Sequence, residues 1–180
     1  MAQQTIILAL DPARLCGYAI GDGTRRVSGV WDLSKGTESH PGGQLLRLAE
    51  LLERAIMDNH VTVVATELAS FGSVNRNTAS AHNEKLGVIR LVCCQHEVRV
   101  VGYHPTSIKK FITGSGRADK KQMIRGARTM LGLTTESDDK ADAAAILALA
   151  QYELTRPYVG HQAKQKRAKS GKPKGPVLFR

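Results

Sequence analysis

The chain has 180 residues, 42% of them hydrophobic and 23% charged, which is enough for one well-cored domain, too little for two comfortable ones, and excludes disorder as the main state. Its formal net charge is +10, yet eight of the 26 basic residues and none of the 16 acidic ones lie beyond residue 153, so residues 1–153 carry only 18 basic against 16 acidic side chains. No apolar run approaches the roughly 20 residues that a membrane span needs, and no basic leader precedes a hydrophobic segment, so a soluble, cytoplasmic protein is expected.

Thr5 to Leu10 (TIILAL) is a continuous apolar run that stops at Asp11-Pro12, the pattern of a central strand buried on both faces. Gly17–Ile20 and Arg26–Leu33 flank the turn residues Gly21-Asp22-Gly23 and read as a hairpin. Pro41 to Asn59 places Leu45, Leu48, Leu52, Ala55 and Ile56 at helical spacing, and Val61–Thr66 is a second buried strand, followed by Glu67. Residues 71–77 read as a loop, and Thr78–Glu97 as a long helix with Leu86, Ile89, Val92 and Cys93 on one face. A strand over Val98–Tyr103 ends at His104-Pro105, after which Thr106 or Ser107 is the expected cap of a short helix reaching Gly114-Ser115-Gly116. Ala118–Leu131 and Asp139–Leu154 are the last helices, the latter capped by Ser137 or Asp138. The order predicts an α/β domain, a mixed sheet of about five strands with helices on its faces. Residues 1–156 are assigned to it. Residues 157–180 form a basic tail, whose stretch 157–176, rich in Lys, Gly and Pro, cannot bury enough surface to offset its ordering entropy and is expected to be disordered. Nucleic acid is favoured over membrane as its partner, since no amphipathic helix or lipidation signal accompanies the charge.

Asp11 and Glu67 each end a buried strand, and a crossover through the intervening helix makes those strands parallel. If the strands are neighbours, both carboxylates emerge at one edge of the sheet, where open α/β sheets hold their sites. Asp139 and Asp142 are three residues apart at the start of the last helix and share a face. Asp138 is the alternative to Asp139, whose spacing to Asp142 fits better. Acids gathered this closely raise one another's pKa values unless a hard divalent cation, Mg²⁺ or Mn²⁺, neutralises them. Such an all-oxygen site suits phosphodiester hydrolysis, in which two ions roughly 3.5–4 Å apart activate a water and stabilise the leaving oxygen.

The stretches Ile7–Pro12 with Gly17-Tyr18, Val64–Glu67, Phe71–Gly87, Ile108–Lys121 and Asp139–Ala144 resemble the RuvC family of Holliday junction resolvases, of the RNase H-like superfamily. The resemblance covers roughly residues 5–154. It implies an RNase H-like fold, a homodimer, four-way DNA junctions as substrate, and Asp11, Glu67, Asp139 and Asp142 as metal-binding catalytic acids. It further implies DNA contacts by Lys109 and Lys120, with Lys121 beside them, and Phe71 as the aromatic that wedges the junction. Ala13 stands where the family usually has glycine, and Phe71 lies one residue further from Glu67 than the family pattern sets it. The basic extension fits phage members, with branch-migration partners left open. Without the resemblance, a broader branched-DNA or RNA-processing nuclease and a non-catalytic nucleic-acid binding protein remain alternative readings, and an actin-like ATPase ranks last for want of a second phosphate loop.

The other features have plainer expectations. Lys109-Lys110 and Lys120-Lys121 are either solvated helix faces or a phosphate track, with Gly114-Ser115-Gly116 a turn between them. The six histidines lack metal-ligand spacing and are assigned structural or surface roles. Cys16, Cys93 and Cys94 are expected to be reduced, buried thiols, and Trp31 a core or interface residue.

Overall fold

The computed structural model describes residues 4–35, 40, 42–69, 76–132, 137–154 and 177–178. The strands are β1 (Ile7–Asp11), β2 (Leu15–Gly21), β3 (Arg26–Asp32), β4 (Val63–Glu67), β5 (Arg99–Tyr103) and β6 (Val177–Leu178). The helices are α1 (Gly43–Asn59), α2 (Arg76–Gln95), α3 (Pro105–Thr113), α4 (Lys120–Leu131) and α5 (Asp138–Leu154). In space the strands run β3-β2-β1-β4-β5-β6. The hairpin partners β1–β2 and β2–β3 are antiparallel, whereas β1–β4 and β4–β5, joined through α1 and α2, are parallel. The five-stranded mixed sheet read from the sequence is therefore present. The apolar spot at Val177–Leu178 adds a short sixth strand, antiparallel to β5. Residues 155–176, with most of the basic tail, lie outside the described residues.

Alternation along the strands divides the core into two layers. Leu8, Leu10, Val64 and Val100 pack with Leu48, Leu52 and Ile56 of α1 and Leu86, Ile89 and Val92 of α2. Ile7, Ala9, Val63, Ala65 and Val101 face the other way, onto Ile108 and Ile112 of α3, Met123 of α4 and the alanines of α5. Leu48 and Leu52 are completely buried, and each contributes roughly 1.5–3 kcal/mol by leaving water. Among the described residues no helix is long and apolar enough to cross a membrane.

α5 is buried on almost every side from Ala141 to Ala150, because small side chains let it lie directly on the sheet. Glycines on β2 complete that fit: a Cβ at Gly21 would stand 3.1 Å from the Leu147 side chain, and one at Gly17 would overlap the Asp139 carbonyl.

Helix starts differ from expectation: α1 begins at Gly43 in place of Pro41, α2 at Arg76, two residues before the expected Thr78, and α5 at Asp138, one before Asp139, while α3 and α4 differ in their caps. His104, with Pro105 in the first turn, precedes α3 in place of the expected Thr106 or Ser107, since proline presets the helical φ and lacks a donor to satisfy. α4 begins at Lys120, two residues late, where Asp119 and Gln122 form a reciprocal capping box; Ala118 is buried ahead of it. Cys16 and Cys93 are buried free thiols as expected, whereas Cys94 is exposed on the outward face of α2. Trp31 is half-buried and stacks on Tyr18 at 4.8 Å between centroids.

Candidate active site

Asp11 continues the parity of Ile7 and Ala9, and Glu67 that of Val63 and Ala65, so both carboxylates belong to the α5 side of the sheet. The β1–β4 ladder runs as far as Leu10↔Thr66, immediately before them. Asp11 pairs with Gly17 across the hairpin, and Gly17 lies against the Asp139 carbonyl. The first turn of α5 is thereby set beside the end of β1. Ala13, in the family's glycine position, is not among the positive-φ residues, so the turn after Asp11 has no need of glycine; its N–H donates to Asp11 O at 2.9 Å.

The four acids are electrostatically one group. Burial, then Asp142 and Asp139, push Asp11 up to about 7, while Lys120 opposes the shift. Burial, then Asp11 and Asp142, push Glu67 up to about 8 against Lys109. Asp142 is raised to about 6 by burial, then by Asp138 and Asp139, with Lys120 and Lys109 opposing. Lys109 and Lys120 thus bear on the acids from α3 and α4. Asp138 is paired: Lys120 Nζ donates to its Oδ2 at 3.1 Å. Lys121 is exposed on α4, and neither it nor Lys110 figures in these shifts. Phe71 lies outside the described residues.

Half-buried carboxylates that raise one another's pKa values form an oxygen-only donor set of excess negative charge, which in chemistry fits a hard divalent cation. As placed, no group of three or more His, Cys, Asp or Glu side chains among the described residues is arranged to hold a metal ion.

Two residues of α2 near the end of β4 and Cys16 carried no signal in the sequence. His82, in the second turn of α2, brings Nε2 to 3.2 Å from Glu67 O, and burial holds its imidazole below the usual range. Lys85 is buried, with Nζ donating to Ala81 O at 3.2 Å, and its charge bears on Cys16, whose thiol burial and Asp11 push up. A histidine and a lysine beside core positions of a helix look like ordinary solvated residues until the helix is docked. His104 occupies the N-cap position of α3 without a side-chain cap bond, and His96 bridges to Glu53 at 3.2 Å on the surface.

A family model described as "Crossover junction endodeoxyribonuclease RuvC" matches residues 7–151. Curated relatives of that description include one from Anaeromyxobacter sp., 36% identical over 84% of this chain and 73% of the relative. Another, from Caldicellulosiruptor saccharolyticus, is 34% identical over 78% of this chain and 88% of its own. Among solved structures, Thermus thermophilus RuvC in complex with a Holliday junction substrate superposes with a TM-score of 0.68 at 23% identity, covering 82% of this chain and 94% of that one. The yeast mitochondrial Holliday junction resolvase gives 0.57 at 11% identity, over 79% and 76% of the two chains. The architecture is RNase H-like.

Proposed function

The chain belongs to the RuvC family of crossover junction endodeoxyribonucleases, and we propose on that premise that it resolves four-way DNA junctions by paired, symmetric phosphodiester hydrolysis at a site built from Asp11, Glu67, Asp139 and Asp142. The observation that carries the reading is the electrostatic coupling of these acids at one sheet edge, with Lys109 and Lys120 bearing on them. Asp139 is preferred to Asp138 because Asp138 is engaged by Lys120, while Asp139 raises the pKa of Asp11.

The four carboxylates would hold Mg²⁺ or Mn²⁺, which when bound neutralises them, polarises the scissile phosphate and activates water. The protein's part is to keep the acids on rigid elements, two on adjacent parallel strands and two on a helix packed against them. Lys109 and Lys120 attract the phosphate of the strand to be cut and offset the negative charge of the acids. Lys121 and, by resemblance, Phe71 extend the contact to flanking phosphates and the junction centre. Two symmetric cuts need two sites, which a C₂ homodimer supplies in matched geometry. A DNA substrate goes with a cytoplasmic location.

The test is an end-labelled immobile junction beside matched duplex and flap DNA, with Mg²⁺, Mn²⁺ or EDTA, for the wild type and Asp11→Asn. Paired nicks on the junction alone are expected, absent in EDTA and in the variant, which still retards the junction on a gel. Normal turnover by Asp11→Asn would overturn the site. Equal cutting of flaps would make the enzyme a broader branch nuclease, and a bound but uncut junction under every ion would make it a binding protein.

A further inference from the structure

The peptide unit that follows Glu67 is held at both of its polar atoms. Leu68 N donates to Tyr103 O at 2.8 Å, extending the link to β5. Glu67 O accepts from two side chains, Thr66 Oγ1 at 3.3 Å and His82 Nε2 at 3.2 Å. A carbonyl oxygen only accepts, so the ring proton sits on Nε2. Thr66 belongs to the same strand and cannot hold that strand relative to anything else. His82 belongs to α2, a helix seated on the sheet by the buried Leu86, Ile89, Val92 and Cys93.

We propose that His82 is a positioning residue for Glu67, its Nε2–H fixing the peptide plane at the end of β4 so that the carboxylate stays with Asp11 and Asp142. The bond joins residues 15 apart and ties the end of β4 to α2. Glu67 is the last residue of its strand; its peptide is tied to β5 through Leu68 N alone, and a turn of the peptide plane about that one bond would swing the Cα–Cβ bond and move the carboxylate. Partners that orient a metal-binding group typically govern affinity by 10–100-fold. The inference rests on Glu67 being one of the metal-binding acids.

The test uses the full chain without DNA. Long-range ¹⁵N NMR of the histidine side chains in the wild type is expected to show the His82 proton on Nε2, and a ring protonated only at Nδ1 overturns the proposal whatever the variants do. Calorimetric Mn²⁺ titration then compares wild type, His82→Leu, His82→Gln and Asp11→Asn, with melting in EDTA recorded for each. His82→Leu is expected to weaken Mn²⁺ binding about ten-fold or more, and His82→Gln, which carries an amide N–H at a similar reach, to recover most of it. A purely structural role predicts that affinity follows melting temperature and that Gln rescues nothing; that result, or wild-type Mn²⁺ affinity in His82→Leu, overturns the proposal. If Asp11→Asn binds Mn²⁺ as tightly as the wild type, the carboxylate site itself is wrong, and this inference falls with it.

Discussion

Asp11, Glu67 and Asp142 keep their protons to about 7, 8 and 6 because burial and one another's charge penalise ionisation. In the unfolded chain the same groups ionise near pH 4, so between pH 4 and pH 8 the folded state binds more protons. Folding stability is therefore full below the ordinary carboxylate range and falls as pH rises through these elevated values. The metal-free protein should melt at a lower temperature at pH 8 than at pH 5, by more than Asp11→Asn does. Millimolar Mg²⁺, binding only the folded state, should remove most of the difference. Melting curves across that range, with EDTA and with Mg²⁺, check it; a variant with the same pH slope as the wild type would refute the coupling. Asp11 was legible as a strand-end acid because it follows an unbroken apolar run. His82 was not, since its partner is a backbone oxygen 15 residues away.

The seating of α5 on β2 decides whether the two pairs of acids meet. Gly17 is the point of closest approach: its missing side chain leaves room for the Asp139 carbonyl, with Ala143 Cβ 3.3 Å from where a Cβ would stand. Gly17→Ala should push the first turn of α5 outward and cost about 1–3 kcal/mol in overpacking. A displacement of about 1 Å at a catalytic group can lower turnover by 10²-fold, so junction cleavage should fall at least that far while binding in EDTA persists. Single-turnover cleavage and gel retardation read the two separately, and near-normal cleavage would show that the backbone yields there. The elements themselves were largely visible as apolar periods of two and 3.6. Their starts were less so: α4 is capped by Asp119 through its box with Gln122, and His104 precedes α3 without a side-chain cap bond, Pro105 opening that helix.

For the molecule as a whole, charge is the quantity that bears on DNA. The body is nearly balanced and the excess lies beyond residue 153, so affinity for any DNA should depend strongly on salt, and the basic segment should supply much of that dependence. Truncation would also remove Val177–Leu178, which pair with β5. Substituting glutamine for Lys164, Lys166, Lys169 and Lys172 is the cleaner test. Each phosphate that these lysines no longer neutralise should lower the slope of log affinity against log salt by about 0.9, leaving cleavage by bound enzyme unchanged; fluorescence anisotropy over a salt series measures it, and an unchanged slope would exclude the tail from binding.

By itself the sequence determined the local and additive properties: two buried strands each ending in an acid, an alanine-rich helix opening with Asp138 and Asp139, a balanced body and a basic end. These follow from residue type, periodicity and charge, which act over a few neighbours. Only the tertiary structure decided that Gly17 admits the Asp139 carbonyl beside the end of β1, that His82 meets the carbonyl at the end of β4, and that Lys120 pairs with Asp138. Those meetings join residues from 15 to more than 100 positions apart, and each depends on how helices dock on the sheet; docking leaves no period in the chain to read.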